Sequence, residues 1–171
     1  MVSFEVVAES EPELVRFGAC LSTLAGESAL VTLQGDLGAG KTTLVRGLVQ
    51  AAGFAGAVKS PTFSLVEPYA LDRGTIYHFD LYRLQDPEEL EFMGMRDYLD
   101  QDSLCLVEWP EKAGGFLPAG DINITIEIVN KGRKVRLQTV SDRGQVLFER
   151  LGLPDCWNNT RRHADQAGDQ K

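Results

Sequence analysis

Between residues 35 and 42 the chain reads Gly35-Asp36-Leu37-Gly38-Ala39-Gly40-Lys41-Thr42, a spacing suited to polyphosphate chemistry. Gly35, Gly40, Lys41 and Thr42 meet the GxxxxGK[ST] pattern in full. The glycines permit backbone conformations in which several N–H groups face inward on phosphate oxygens. The helix that follows adds its positive N-terminal end. Lys41 is expected to reach the β- and γ-phosphates and the Thr42 hydroxyl to ligand Mg²⁺, with Gly38, Ala39, Gly40 and Thr43 completing the phosphate-facing set. The bland alternative is a glycine-rich turn. An apolar strand before the loop and an amphipathic helix after it favour the phosphate reading. Gly38-Ala39-Gly40-Lys41-Thr42-Thr43 lacks the third glycine of a dinucleotide fingerprint. Asn130-Lys131-Gly132-Arg133 has Arg where a guanine-reading loop needs aspartate, which leaves ATP as the expected nucleotide.

Such chemistry needs a carboxylate near the metal, usually at the end of a strand beside the loop strand. Glu108 closes the apolar run Leu104-Cys105-Leu106-Val107, and Asp80 closes Ile76-Tyr77-His78-Phe79. Either could hold Mg²⁺ or position the attacking water; the alternative for each is a solvated acid at a strand end. Asp36 reads better as a turn cap than as a metal aid. Ser60-Pro61-Thr62-Phe63 could sense a γ-phosphate, or Ser-Pro could simply start a strand. His78 aligns with Asp80 under alternation, but a lone histidine in an aromatic strand is usually structural. Trp109 either packs on the core or covers the site.

The positioning elements follow from periodicity and caps. Ser3 to Val7 reads as a strand. Ser10 and Glu13 form a capping box with Pro12 in the first turn, and Leu14, Phe17, Leu21 and Leu24 carry a helix to about Ala25. Residues 29–33 form a buried strand, and a helix runs from Lys41 to about Ala52. Phe63 to Tyr69 and Thr75 to Tyr82 are expected to pair across a turn at Asp72-Arg73-Gly74. Asp86-Pro87-Glu88-Glu89 starts a helix, Ser103 to Val107 is a strand, and Ile122 to Ile128 pairs with Lys134 to Val140. The fold class is α/β: a single P-loop NTPase-like domain over residues 1–154, with a mixed β-sheet flanked by helices. From Asp155 the polar composition predicts a disordered tail over residues 155–171.

A chain of 171 residues, 43% hydrophobic and 25% charged, suits one globular domain. The net charge of −8 is the wrong sign for gripping nucleic acid by its phosphates and suits protein partners better. No apolar run approaches the ~20 residues that cross a bilayer. The N-terminus lacks a secretion signal, so the chain is expected in the cytoplasm, and the glycosylation patterns at Asn123 and Asn158 count as chance. Cys20, Cys105 and Cys156 are far apart and odd in number, with no CxxC pair. Neither a zinc site nor a disulfide framework is expected from them. Cys105 should be a small buried hydrophobe.

Taken together, the phosphate loop, Ser60-Pro61-Thr62-Phe63, His78-Phe79-Asp80-Leu81-Tyr82-Arg83-Leu84 and Glu108-Trp109-Pro110 resemble the TsaE family. Glu88-Glu89-Leu90-Glu91 and Asp97-Tyr98-Leu99 fit between the two acid-bearing strands, and the likeness spans Phe4 to Val140. The phosphate loop alone would fit many ATPases; the later motifs make the likeness specific. The resemblance implies an ATPase serving threonylcarbamoyladenosine modification of tRNA. It implies ATP, Mg²⁺ on Thr42 and Glu108 with Asp80 near the metal, Thr62 in a switch-like segment and Trp109 beside the nucleotide. Ser10 and Arg133 would hold the base. The implied partners are TsaD and TsaB, whose complex ATP hydrolysis would reset, with tRNA reached only through that complex and no membrane. Two other readings are a P-loop kinase acting on a small molecule, and a nucleotide-sensing module whose hydrolysis is incidental.

Overall fold

The computed structural model describes residues 1–61 and 63–159. One seven-stranded mixed sheet runs through it in the order β1-β7-β6-β2-β5-β4-β3. The strands are β1 (Ser3–Ala8), β2 (Ala29–Gln34), β3 (Val66–Leu71), β4 (Gly74–Asp80), β5 (Leu104–Glu108), β6 (Ile122–Val129) and β7 (Gly132–Thr139). The central strands β6, β2, β5 and β4 are parallel neighbours. Antiparallel pairs extend the sheet at both sides, β7 on β6 and β1 on β7, and β3 on β4. The expected α/β architecture with a mixed sheet is therefore the observed one.

The strands are accompanied by α1 (Glu11–Cys20), α2 (Lys41–Ala51), α3 (Glu89–Phe92), α4 (Met95–Leu99) and α5 (Asp142–Leu151), and by a further helical segment over 153–159. Alternation along β5 divides the core between the two faces of the sheet. Leu104 and Leu106 join the cluster with α1 and α2, including Phe17, Leu44 and Leu48. Cys105 and Val107 join the smaller cluster with Leu90 and Met95. By the same parity, Ile76 on β4 faces α1 and α2, so His78 and Asp80 beyond it share that face.

Helix α1 begins as its sequence dictates. Ser10 is the N-cap, its Oγ accepting from the Glu13 N–H at 3.3 Å, and Glu13 accepts in turn from the Glu9 N–H. The α-helix ends at Cys20, and Ser22–Leu24 continues as a 3₁₀ turn where an α-helix to Ala25 was expected. Glycine lets α1 and α2 meet backbone to backbone. A Cβ on Gly18 would stand 2.1 Å from the Leu44 carbonyl oxygen, and one on Gly47 equally close to that of Val15.

Other features also depart from the sequence reading. Strand β3 starts at Val66 instead of Phe63, and residues 63–65 form bends. Helix α5 was not anticipated: Ser141 caps it by accepting from the Gly144 N–H at 2.9 Å, and Gly152 ends it in a left-handed conformation. Residues 155–159, expected to open a disordered tail, belong to a helical segment over 153–159. Leu153 and Trp157 of that segment are buried, and the Trp157 ring meets Phe17 edge-on at 5.7 Å. The remaining tail, 160–171, lies outside the described residues. Cysteine pairing is a further correction, since Cys20 at the end of α1 is disulfide-bonded to Cys156. Only Cys105 is a free thiol among the described residues, buried as expected.

Candidate functional site

The parallel strands β2, β5 and β4 all end at one edge of the sheet, and the phosphate loop leaves β2 at that edge. Asp80 and Glu108 occupy matching register positions, the last residues of β4 and β5. The two acids named from strand ends are thus brought side by side next to the loop. Gly40 caps α2 at φ 106°, a left-handed conformation in which a larger residue is disfavoured. That turn presents Lys41, Thr42 and Thr43 from the first turn of α2.

A cavity of about 290 Å³ is lined by the loop residues Gly38, Gly40, Lys41, Thr42 and Thr43, with Ser60, Asp80, Tyr82, Glu108 and Trp109. Glu108 is 2% exposed, yet its Oε1 has two partners, the Thr42 hydroxyl at 2.8 Å and His78 Nε2 at 2.8 Å. Asp80 accepts from the Ser60 hydroxyl through Oδ2 and from the Tyr82 N–H through Oδ1 at 3.0 Å. Ser60 thereby ties the segment preceding Thr62 to the acid; Thr62 itself lies outside the described residues.

Lys41 Nζ donates to the carbonyls of Gly35 and Asp36 and stands 4.1 Å from the centroid of the Trp109 ring. Burial pushes the Lys41 ammonium below its ordinary pKa, while the charges of Glu108 and Asp80 pull it back up. The aromatic face gives the buried cation a third favourable neighbour. Trp109 reaches that position from an unusual backbone. Its φ of 58° is the only positive value on a non-glycine among the described residues. The chain leaves β5 through this left-handed residue, which turns the ring over Lys41 and beside Tyr82 at 5.0 Å between centroids. Both alternatives for Trp109 meet in one geometry: the ring packs against the smaller core cluster and also lines the cavity.

A second cavity, of about 410 Å³, shares Gly38, Gly40 and Thr43 with the first and extends to Ser10, Glu11 and Arg133. The Arg133 guanidinium is engaged with the loop backbone, Nε donating to Ala39 O at 2.9 Å and Nη2 to Gly38 O at 3.3 Å. Ala39, named among the phosphate-facing residues, is fully buried and lines neither cavity; its N–H donates to Asp36 O at 3.0 Å. The structure therefore brings together Ser10, Gly38, Gly40, Thr43 and Arg133 on one side of the loop, and Lys41, Thr42, Asp80, Glu108 and Trp109 on the other.

Sequence reasoning did not anticipate the part played by His78, Ser60 and Tyr82 around these groups. Alternation placed His78 on the face of Asp80, but contact with Glu108 required the β4–β5 register. Among the described residues no group of three or more His, Cys, Asp or Glu could hold a metal ion alone. A hydroxyl and two carboxylates beside a phosphate loop do suit Mg²⁺, which commonly takes one or two carboxylates and completes its shell with phosphate oxygens and water.

Residues 8–136 match the family described as "Threonylcarbamoyl adenosine biosynthesis protein TsaE". The chain belongs to the TsaE family. A TsaE of Haemophilus influenzae, named for tRNA threonylcarbamoyladenosine biosynthesis, is 53% identical over 131 residues, covering 76% of this chain and 83% of the relative. The Bacillus subtilis TsaE is 35% identical over 131 residues, covering 76% and 82%. The crystal structure of Bacillus subtilis YdiB superposes with a TM-score of 0.71 at 28% identity, covering 90% of this chain and 95% of that one. Every residue of the two cavities lies within the stretch matched to TsaE.

Proposed function

We propose that the protein is a Mg²⁺-dependent ATPase serving biosynthesis of threonylcarbamoyladenosine in tRNA, through the cycle of a TsaB–TsaD complex. One observation carries the reading: the buried Glu108 carboxylate accepts from the Thr42 hydroxyl of the phosphate loop, in a cavity that also holds Lys41 and Asp80. A hydroxyl and an acid held together beside a phosphate loop suit phosphoryl chemistry, which is mostly positioning and charge stabilisation.

In this reading the loop N–H groups and Lys41 bind the β- and γ-phosphates. Lys41 exchanges its contacts with the Gly35 and Asp36 carbonyls for phosphate oxygens. Thr42 and Glu108 would hold Mg²⁺ with Asp80 beside them, and the chemistry the ion would supply there is neutralisation of phosphate charge. Glu108 or Asp80 orients the attacking water. Ser10 and Arg133 border the second cavity, which is large enough to receive the nucleoside.

The acidic chain suits protein partners, and the exposed apolar residues Leu37, Phe63 and Tyr82 rim the cleft beside Asp80. Among the described residues no helix is long and apolar enough to cross a membrane. The proposed compartment is the cytoplasm, where the bond between Cys20 and Cys156 would face a reducing thiol pool.

Steady-state ATP turnover, alone and with purified TsaB and TsaD, tests the reading. Turnover should be slow alone, rise with the pair, and vanish in Lys41→Ala together with ATP binding. Glu108→Ala should bind ATP within a few-fold of the parent yet lose at least ~100-fold in turnover. Unimpaired hydrolysis by Glu108→Ala would remove that residue from the mechanism. Absence of stimulation by active partners would sink the coupled ATPase.

A further inference from the structure

His78 is fully buried on β4, and β4 pairs with β5 so that His78 lies opposite Leu106. Glu108 stands two residues further along β5 on the same face, a diagonal that long side chains can bridge. Nε2 of His78 lies 2.8 Å from Oε1 of Glu108, the oxygen that also receives the Thr42 hydroxyl. An ionised carboxylate can only accept, so the ring proton on that side belongs to Nε2. The other nitrogen, Nδ1, is buried without a hydrogen-bond partner among the described residues, and Tyr69 stacks against the ring at 6.4 Å between centroids. A histidine serving only to fill the core gains nothing from that half-satisfied state, because an apolar side chain of similar size would fill it without burying a bare nitrogen. Its one polar bond is spent on the acid beside the phosphate loop.

We infer that His78 is a positioning residue for Glu108. Its Nε2–H and the Thr42 hydroxyl clamp Oε1 from two sides, which fixes the rotamer of the carboxylate and leaves Oε2 as the oxygen offered to a water or a metal-bound water. The tyrosine stack and the sheet fix the ring, the ring fixes the acid, and the acid meets the hydroxyl of the loop. This inference rests on the reading of Glu108 as the acid of an ATPase. His78 touches none of the reacting atoms itself.

The test compares His78→Leu and His78→Met, which fill the space but offer no proton, with His78→Gln, whose amide can donate from a similar distance. Removing an outer-shell partner of this kind typically costs about 10–100-fold in activity or metal affinity. The apolar variants should lose about that much in kcat while KM for ATP and affinity for a fluorescent ATP analogue stay within about threefold. The Mg²⁺ concentration giving half-maximal nucleotide binding should rise in them, and His78→Gln should recover most of both losses. In a Glu108→Ala background, His78→Leu should have no further effect on Mg²⁺-dependent binding.

Wild-type kcat and Mg²⁺ dependence in a folded apolar variant would overturn the inference. So would losses of activity that follow thermal stability alone across all three substitutions, and so would failure of both apolar variants to fold. If Glu108→Ala is inactive while His78→Leu is unimpaired, the positioning role fails and the ATPase reading stands. If Glu108→Ala itself turns over normally, the fault lies with the reading of the acid.

Discussion

The single free thiol shows how burial sets the chemistry of one side chain. Cys105 lies on β5, 1% exposed, and burial pushes its thiol up to about 11, against a smaller opposing effect of the Ser103 hydroxyl. At pH 8 a pKa near 11 leaves roughly 0.1% thiolate, and the thiolate is the reactive form. Iodoacetamide should therefore leave the native protein unmodified at pH 8. Denaturation without reductant should expose one reactive thiol, and reduction should raise the count to three. A count of three without reductant would mean that Cys20 and Cys156 are not joined. The sign of the linkage follows: the folded pKa exceeds the ordinary 9.0, so the stabilising preference for the neutral thiol is complete below pH 9 and is lost as pH approaches 11. At this scale the sequence was most informative where the signal is local. Lys41 and Thr42 are fixed by spacing within one loop, and Asp80 and Glu108 by their place at the ends of apolar runs. Contacts between distant segments were not legible. The Trp109 ring reaches Lys41 only because a left-handed backbone turns it back, and nothing in Glu108-Trp109-Pro110 states that φ.

Helix α1 carries Ser10 at one end and Cys20 at the other, and both ends are held from outside. Along its length the glycine contacts press it against α2, which fixes Ser10 relative to the phosphate loop. In Gly47→Ala the new methyl would meet the Val15 carbonyl oxygen at 2.1 Å, so the helices must separate. Overpacking of this kind costs about 1–3 kcal/mol. Urea denaturation should report that loss. Nucleotide titration should report weaker binding, because the Ser10 side of the second cavity moves with α1. At the far end the disulfide closes a sequence separation of 136 residues. Cys156→Ser should lower unfolding free energy by about 2–4 kcal/mol, with a matching fall in Tm, while ATP affinity changes little. An unchanged Tm under oxidising conditions would show that the bond does not form. Elements with strong caps and clean periods were legible, as Ser10, Glu13 and Pro12 show for α1. Helix α5 escaped because Arg143, Gly144, Gln145, Glu149 and Arg150 dilute its apolar stripe, and because its cap Ser141 resembles any loop serine. The 153–159 segment escaped because its polar residues outnumber the two, Leu153 and Trp157, that bury it.

Across the whole molecule, the two cavities draw residues from widely separated parts of the chain. Ser10 precedes β2, Lys41 and Thr42 follow it, Asp80 and Glu108 close β4 and β5, and Arg133 is the second residue of β7. The α/β class and the mixed sheet were legible because each strand has its own pattern, but the order of strands was not, since periodicity carries no information about neighbours. That order has a consequence in time. Of the seven strands β1 is made first, yet among the described residues its one neighbour in the sheet is β7, with Ser3 opposite Gln138. During synthesis the N-terminal strand must wait unpaired until nearly the whole sheet has left the ribosome, while β2, β4 and β5 can already associate. The phosphate loop and both acids are then present before the Arg133 side exists. A chain stopped after residue 130 should keep protection from hydrogen exchange in β2 and β5 but lose it in β1, and equal protection of all three strands would show that assembly follows another order. Birth order and spatial order are opposed in this fold, and of the two sides of the cleft the one beside Ser10 is the later to be completed.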